Sequence, residues 1–159
     1  MLLGIGAALC LASLAWALLG DSDEEKIRAR LDQLAHTVSS KEAENLAFRA
    51  LRLKKALPES LESSVHFIAP ELRASKGLQE LTQLAAGAPR LFGDFDVNVN
   101  STEIAIDEAA RQATVLSEVT LTGLSDQLRR EARRVRFTLR ENDGEWRVSS
   151  IDVEAKATE

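Results

Sequence analysis

The strongest constraint on the fold is a change in the spacing of apolar residues near Phe92. Before this point apolar side chains recur every three or four positions, which is the spacing of an amphipathic helix. After it they alternate with polar side chains, as Phe95, Val97 and Val99 do, which is typical of a half-buried strand. Helices grouped before strands predict an α+β fold rather than an alternating α/β fold.

Two capping boxes predict where the first two helices begin. Ser22 precedes Glu25 by three residues, so a helix is predicted over 23–38. Ser39 and Glu42 repeat the pattern ahead of a second helix. In each box the hydroxyl and the carboxylate satisfy backbone amides that the first helical turn leaves free.

Proline and glycine predict where the other elements of the first half end. Pro58 is expected to end the second helix at Leu57, because proline has no amide hydrogen and its ring clashes with the preceding turn. A short strand is predicted over 64–69 and a third, shorter helix over 78–85. The residues expected to close this third helix are Gly87 and Pro89.

Four long antiparallel strands are predicted after Phe92. The apolar parity flips near Ser101-Thr102 and again after Val148, and each flip indicates a bulge. The sequence Asn142-Asp143-Gly144 predicts a tight hairpin between the last two strands. Because bulges supply curvature, the sheet should wrap around the helices as a cone, with the helices on one face.

Residues 1–20 carry no charged side chain and are predicted to form a transmembrane anchor. As a helix they would span roughly 30 Å, the thickness of a hydrocarbon core. The alternative is a signal peptide, since Ala15-Trp16-Ala17 resembles a cleavage site, although no basic residue precedes Leu2. We therefore expect a single-pass membrane protein. Basic residues after the segment favour a cytoplasmic domain, whereas a lone N-terminal apolar segment more often delivers its domain outward, the side toward which we lean.

Length and composition limit the rest of the chain to one domain. Without the anchor, the chain of 159 residues is long enough for one core and too short for two. We place this domain at 22–155 and a short tail at 156–159. The net charge of −5 argues against nucleic acid as a partner. With Cys10 as the single cysteine and two histidines, we predict neither a metal site nor a cofactor.

Three segments after the anchor carry a resemblance to a known superfamily: Asp23-Glu24-Glu25-Lys26-Ile27, Gly77-Leu78-Gln79-Glu80-Leu81, and the last strand pair from Phe137 to Val148 with its closing Asp-Gly-Glu-Trp-Arg-Val. With these segments, residues 22–155 are similar to the nuclear transport factor 2-like superfamily, including its SnoaL-like and ketosteroid isomerase-like branches. The resemblance implies a cystatin-like cone with an apolar cavity and dimerisation through the open sheet face.

The resemblance also suggests which residues border the cavity. We take His66, Phe67, Phe95 and Trp146 as candidate ligand-binding residues. His66 could instead act as a general base, since the ordinary pKa of imidazole suits proton transfer near neutral pH. The enzyme branches rely on tyrosine, however, and this sequence contains none. No catalytic residue is therefore assigned.

A basic run stands out in this acidic chain, and it contains Arg129, Arg130 and Arg133. The plain interpretation is a loop tip followed by the solvent-facing side of a strand. The alternative is contact with anionic lipid headgroups or with an acidic partner protein. Nucleic acid is the weaker interpretation, because no aromatic residues are interleaved to offer a stacking surface.

Two functional hypotheses from different classes follow. The first is a membrane-tethered, non-catalytic binding or scaffolding module, with a small apolar ligand in the cavity or with a protein partner or a second copy on the open sheet face. The second is a divergent isomerase or dehydratase that uses His66 as its base. They differ in whether His66 points into the cavity within hydrogen-bond reach of a carboxylate.

Overall fold

The computed structural model describes residues 21–40, 43–70, 72–123 and 130–155. In chain order, these ranges contain two helices, two strands, a third helix and four further strands. The helices are α1 (Asp23–Val38), α2 (Leu46–Ser60) and α3 (Leu78–Phe92). The strands are β1 (Leu61–Ala69), β2 (Leu72–Lys76), β3 (Phe95–Asp107), β4 (Gln112–Gly123), β5 (Arg130–Asn142) and β6 (Glu145–Val153).

The six strands form one mixed sheet in the order β2-β1-β6-β5-β4-β3. All neighbouring pairs are antiparallel except β1 and β6, which run parallel. This parallel pair joins the first half of the chain to the last, and it leaves β2 and β3 at the two edges. The predicted α+β class, with helices packed on a mainly antiparallel sheet, is confirmed.

Helix α1 begins and ends where the sequence predicts. The Glu25 amide donates to Ser22 Oγ at 3.2 Å, and the Ser22 amide donates to Glu25 Oε2 at 2.9 Å, which completes the capping box. The inward side of the helix buries Ile27, Leu31 and Leu34. Burying each such side chain contributes roughly 1.5–3 kcal/mol, so this stripe holds α1 on the sheet.

The prediction of a second capping box was wrong. Helix α2 begins at Leu46, and its cap is Asn45, whose Oδ1 accepts the Ala47 amide at 2.8 Å. Ser39 instead closes α1: its Oγ donates to the Ala35 carbonyl at 2.9 Å and accepts the Val97 amide at 2.9 Å. The serine thus fastens the end of α1 to β3, while Glu42 lies outside the described residues.

Two prolines lie inside helices that were expected to stop before them. Pro58 occupies the last turn of α2, on its exposed side, where water can reach the carbonyl that the missing amide leaves free. Helix α3 continues past Gly87 and Pro89 to Phe92. The predicted helix ends were therefore too early. Helix α3 tolerates Pro89 because of a tertiary contact.

The devices that curve the sheet are confirmed. The pairing of β3 with β4 shifts between Ser101 and Glu103, and that of β5 with β6 shifts between Thr138 and Leu139, opposite the predicted second flip. In the hairpin between β5 and β6, Asp143 and Gly144 have φ of 52° and 79°. Two successive positive φ values define the turn type that matches the twist of paired strands.

The core lies between the helices and the sheet, and the narrow end of the cone lies where α1 begins. Core side chains from α1 and α2 pack against Val115, Leu139 and Val148 of the sheet. At the narrow end, Trp146 is 3% exposed and its Nε1 donates to Asp23 Oδ1 at 3.4 Å. The start of α1 is therefore attached to the β5–β6 hairpin. The space left open between helices and sheet lies toward the other end of α1, beside Leu34, Ala35 and Val38.

The predicted anchor at residues 1–20 and the tail at 156–159 lie outside the described residues. Across the ranges that are described, every helix falls short of the length and hydrophobicity needed to cross a bilayer.

Candidate functional site

An apolar cavity of about 290 Å³ lies between the helices and the concave face of the sheet. Among the described residues, every side chain that lines it is hydrophobic except that of Arg49. The lining residues are Leu34, Ala35, Val38, Arg49, Leu57, Leu61, Phe67, Leu72, Leu81, Leu84, Ala85, Ala88, Leu91, Phe92, Phe95, Val97, Val99, Val119, Val135, Phe137, Ile151 and Val153.

Helix α3 bridges the cavity rather than filling it. Its apolar side includes Leu84, Ala88 and Leu91, yet within this helix only Leu81 is buried. Leu91 and Phe92 line the cavity while remaining 74% and 55% exposed, so the mouth opens to solvent beside them. Leu84 and Ala85 pack against the core, but the side of α3 that faces the cavity is only partly covered. This indicates that another apolar body can occupy the space.

Arg49 is the polar exception in the lining, and all of its hydrogen-bonding capacity is used within the protein. The side chain is 0% exposed. Its Nε and Nη2 donate to the Ala85 carbonyl at 3.2 and 3.1 Å, and Nη2 also donates to the Val38 carbonyl at 2.6 Å. Its Nη1 donates to the Ser39 carbonyl at 3.1 Å and contacts Glu44 at 3.5 Å. A guanidinium has five N–H donors, so none remains for a ligand.

The bond from Arg49 to Ala85 explains how α3 tolerates Pro89. In a regular helix the amide of residue 89 would donate to the carbonyl of residue 85, but proline has no amide hydrogen. The guanidinium supplies the missing donors to Ala85 from α2. Arg49 therefore holds α3 in place over the cavity.

A shared carboxylate keeps this buried cation paired. Arg52 donates to the two oxygens of Glu44 at 2.7 and 2.9 Å and to the Thr37 carbonyl at 2.6 Å. Burial lowers the pKa of Arg49, as does the neighbouring Arg52 charge, while Glu44 opposes the shift. The hydrogen bond to Glu44 raises the pKa of Arg52. Arginine stays charged through the physiological range, so the cluster closes the end of α1 and moves no proton.

His66 lies on the opposite face of the sheet from the cavity. Side chains alternate along a strand, and because Val65 and Phe67 point inward, His66 points outward. It is exposed, in a shallow polar depression that also includes Glu62 and Arg140. No hydrogen bond to its imidazole is present among the described residues. The expectation that His66 borders the cavity is therefore not met.

Of the other three candidate ligand-binding residues, two lie together at the cavity. Phe67 and Phe95 both line it, and the Phe95 ring sits 5.5 Å from the Arg49 guanidinium carbon. Trp146 does not line it, because it is buried at the narrow end of the cone. The residues that the sequence analysis missed are Arg49 and the apolar side of α3, although the amphipathic pattern continuing past Gly87 was visible.

The predicted basic contact residues do not form one patch in the described structure. Arg129 lies outside the described residues. Arg130 begins β5 and is exposed, whereas Arg133 points to the other face of the strand and pairs with Glu131 at 2.6 Å. Residues 130 and 133 differ in parity, so their side chains leave the sheet on opposite sides. In the described ranges, no cluster of three His, Cys, Asp or Glu residues could hold a metal ion.

Comparison with known proteins supports the fold. No protein-family model matches the chain, and no curated protein matches it. A nuclear transport factor 2-like protein with a cystatin-like fold from Novosphingobium aromaticivorans has a TM-score of 0.60 at 16% identity, covering 99% of this chain and 93% of its own. A protein of unknown function with a cystatin-like fold from Nostoc punctiforme has a TM-score of 0.61 at 17% identity, covering 86% and 92%.

A third solved structure, a conserved protein from Planctomyces limnophilus, has a TM-score of 0.62 at 18% identity and covers 82% of this chain and 93% of its own. At these identities the likeness concerns the fold. The chain therefore has the cystatin-like cone fold of nuclear transport factor 2-like proteins, as the sequence resemblance implied. This class includes both enzymes and binding modules, so the function has to be argued from the cavity.

Proposed function

We propose that this protein is a membrane-anchored, non-catalytic module that binds a small apolar ligand in the cavity of its cone. The observation that carries the proposal is the lining. In the part of the chain that the structure describes, it is hydrophobic except for Arg49, and Arg49 is fully engaged by protein acceptors. A polar ligand would lose its hydration there without gaining hydrogen bonds, which costs about 1–3 kcal/mol for each polar group.

The size of the cavity limits the ligand. An engineered apolar cavity of roughly 150 Å³ binds benzene, and this cavity is about 290 Å³. A ligand with about twice the bulk of benzene fits, such as a two-ring hydrocarbon or a medium-length aliphatic chain. A single polar group on such a ligand would remain at the mouth, beside the exposed Leu91 and Phe92.

The same lining disfavours the alternative of a divergent isomerase or dehydratase. A general base has to lie within hydrogen-bond reach of the proton that it removes. His66 is on the other side of the sheet, and within the described ranges no carboxylate or hydroxyl side chain lines the cavity. The proposed module therefore holds its ligand without transforming it.

The proposed module is attached to a membrane by the first residues of the chain. Residues 1–20 would insert in a bilayer and tether the domain. We favour the extracytoplasmic side of the membrane for the domain. A second copy or a protein partner on the open sheet face is a further proposed contact. Neither is needed for the cavity to bind its ligand.

Native mass spectrometry of the full-length chain released from detergent tests ligand binding. The samples are the wild type with added decanol or 2-naphthol and two variants. Ala88→Phe puts a ring into the cavity from α3, whereas Gln83→Phe puts the same ring on the exposed side of the same helix. Wild type and Gln83→Phe should retain a stoichiometric ligand, and Ala88→Phe should lose it.

Equal occupancy in the two phenylalanine variants would place the ligand elsewhere and refute the cavity as its site. Absence of either ligand from the wild type, under conditions in which circular dichroism shows a folded chain, would refute the proposed function.

A further inference from the structure

A second surface of this protein, next to the mouth of the cavity, has the composition of a membrane-contacting face. Helix α2 exposes Phe48 and Leu51, which are 70% and 66% accessible to solvent. Lys54 and Lys55 follow on the exposed side of the same helix. Large apolar side chains next to lysines on one helix face are typical of helices that lie in the interface of a bilayer.

The end of α3 extends this composition. The Gly77 amide donates to the Val65 carbonyl at 2.8 Å, which fixes the start of α3 against β1, the strand that directly follows α2. Arg49, in the first turn of α2, reaches Ala85 in the second half of α3. The two helices are therefore antiparallel neighbours. The last residues of α3, with exposed Arg90 and Leu91, consequently lie at the same end of the pair as Phe48.

The exposed charges of this surface are mainly basic although the chain as a whole carries −5. On its exposed side α2 carries Lys54 and Lys55, while its one carboxylate, Glu59 in the last turn, accepts a hydrogen bond from Gln33. Helix α3 contains only Arg90 as a charged residue after Glu80. Within the described part of the chain, Lys54, Lys55 and Arg90 make no ion pair. The exposed cations are thus available to an anionic partner.

We propose that Phe48, Leu51, Lys54 and Lys55 of α2, with Arg90 and Leu91 of α3, form a docking face for the surface of an anionic lipid bilayer. The apolar side chains enter the headgroup boundary and the cations meet lipid phosphates. A second copy of this chain fits less well, since a two-fold contact through this face would set lysine against lysine. The docking rests on this surface alone and does not require that the cavity binds a ligand.

Docking would also bring the cavity mouth to the bilayer. Leu91 and the adjacent Phe92 line the mouth, and Leu91 belongs to the docking face. An apolar ligand could then pass between the lipid and the cavity with little exposure to water. This gives the bilayer a role as the source or the destination of the ligand.

Site-specific fluorescence on the full-length chain tests the docking. In a Cys10→Ser background, Leu51→Cys carries an environment-sensitive dye, and Asn98→Cys carries it on the outer face of the sheet as a control. Each protein is mixed with vesicles of phosphatidylcholine alone or of equal parts phosphatidylcholine and phosphatidylglycerol, with and without brominated lipid. The dye at position 51 should shift to the blue and be quenched only in anionic vesicles, and salt should reverse the change.

Charge removal gives the expected size of the effect. Lys54→Gln with Lys55→Gln should weaken docking about 30-fold, because each basic residue near an anionic surface is worth about 1 kcal/mol. Lys26→Gln with Lys76→Gln removes two exposed lysines elsewhere and should leave docking unchanged.

Three results would each overturn the proposal. One is a dye at position 51 that stays in water with anionic vesicles. Another is equal docking of the two lysine double variants. The third is a shift that appears in phosphatidylcholine as well and grows with protein density, which would assign the face to a second copy of the chain.

Discussion

Replacing Arg49 by methionine should destabilise the fold by about 2–4 kcal/mol. Methionine fits the apolar wall, so the loss comes from the carbonyls of Val38 and Ala85, which are left without the guanidinium. Two orphaned buried acceptors cost about 1–3 kcal/mol each. Part of this loss of stability is offset, because the variant no longer has to bury a cation. The Ser39 carbonyl and Glu44 keep bonds from Arg52 and add little.

A double-mutant cycle isolates the proposed cause. Alanine at position 89 restores an amide that can donate to the Ala85 carbonyl, so Pro89→Ala should be more favourable in the Arg49→Met background than in the wild type. We expect a coupling of about 1 kcal/mol, the usual net value of one hydrogen bond. Urea unfolding of the full-length chain in detergent, followed by far-ultraviolet circular dichroism, measures all four proteins.

Pro58→Ala is the matched control, because Pro58 lies in the exposed last turn of α2 and not beside Arg49. Its effect should add to that of Arg49→Met within about 0.3–0.5 kcal/mol. If Pro89→Ala also proved additive, the explanation of how α3 tolerates its proline would be refuted.

Four further substitutions probe local features of the fold and the site. Ser22→Ala removes the capping box of α1 and should cost about 1 kcal/mol in urea unfolding, whereas no loss would mean that the box does not hold the helix start. Gly144→Ala should destabilise by about 1–2 kcal/mol, because its φ of 79° strains any L side chain, while Gly87→Ala in open space inside α3 should stabilise by about 1 kcal/mol. Thermal unfolding measures the melting temperatures of the two glycine variants. Shifts of the same sign would contradict the explanation that backbone conformation decides the effect at each glycine. His66→Ala should leave ligand occupancy in native mass spectra unchanged. A clear loss of occupancy would show that His66 contributes to ligand binding.

Local sequence signals predicted much of the sheet and one helix. The box at Ser22 and Glu25 and the turn at Asp143 and Gly144 act through neighbouring backbone groups, so their effects can be read without knowing the fold. The parity flip near Ser101 predicted a bulge for the same reason. Such features depend on residues only a few positions apart.

Features that depend on distant partners were missed. The end of α3 depends on Arg49, which lies 36 residues before the carbonyl that it satisfies. Ser39 resembled a helix cap, but its hydroxyl bonds to β3. Strand β2 has no alternating pattern of large apolar residues, and it forms because it pairs with β1. His66 was assigned to the cavity wall by resemblance, although alternation with Val65 and Phe67 indicates the outer face.

The central claim is that an apolar molecule occupies the cavity of the cone. Nuclear Overhauser effects between a bound naphthol and labelled methyl groups of the full-length chain test it most directly. The account predicts contacts to Val119, Val135 and Ile151, which line the cavity, and none to Ile68, which is exposed on the outer face. Contacts to Ile68 with none to the three cavity residues would contradict it.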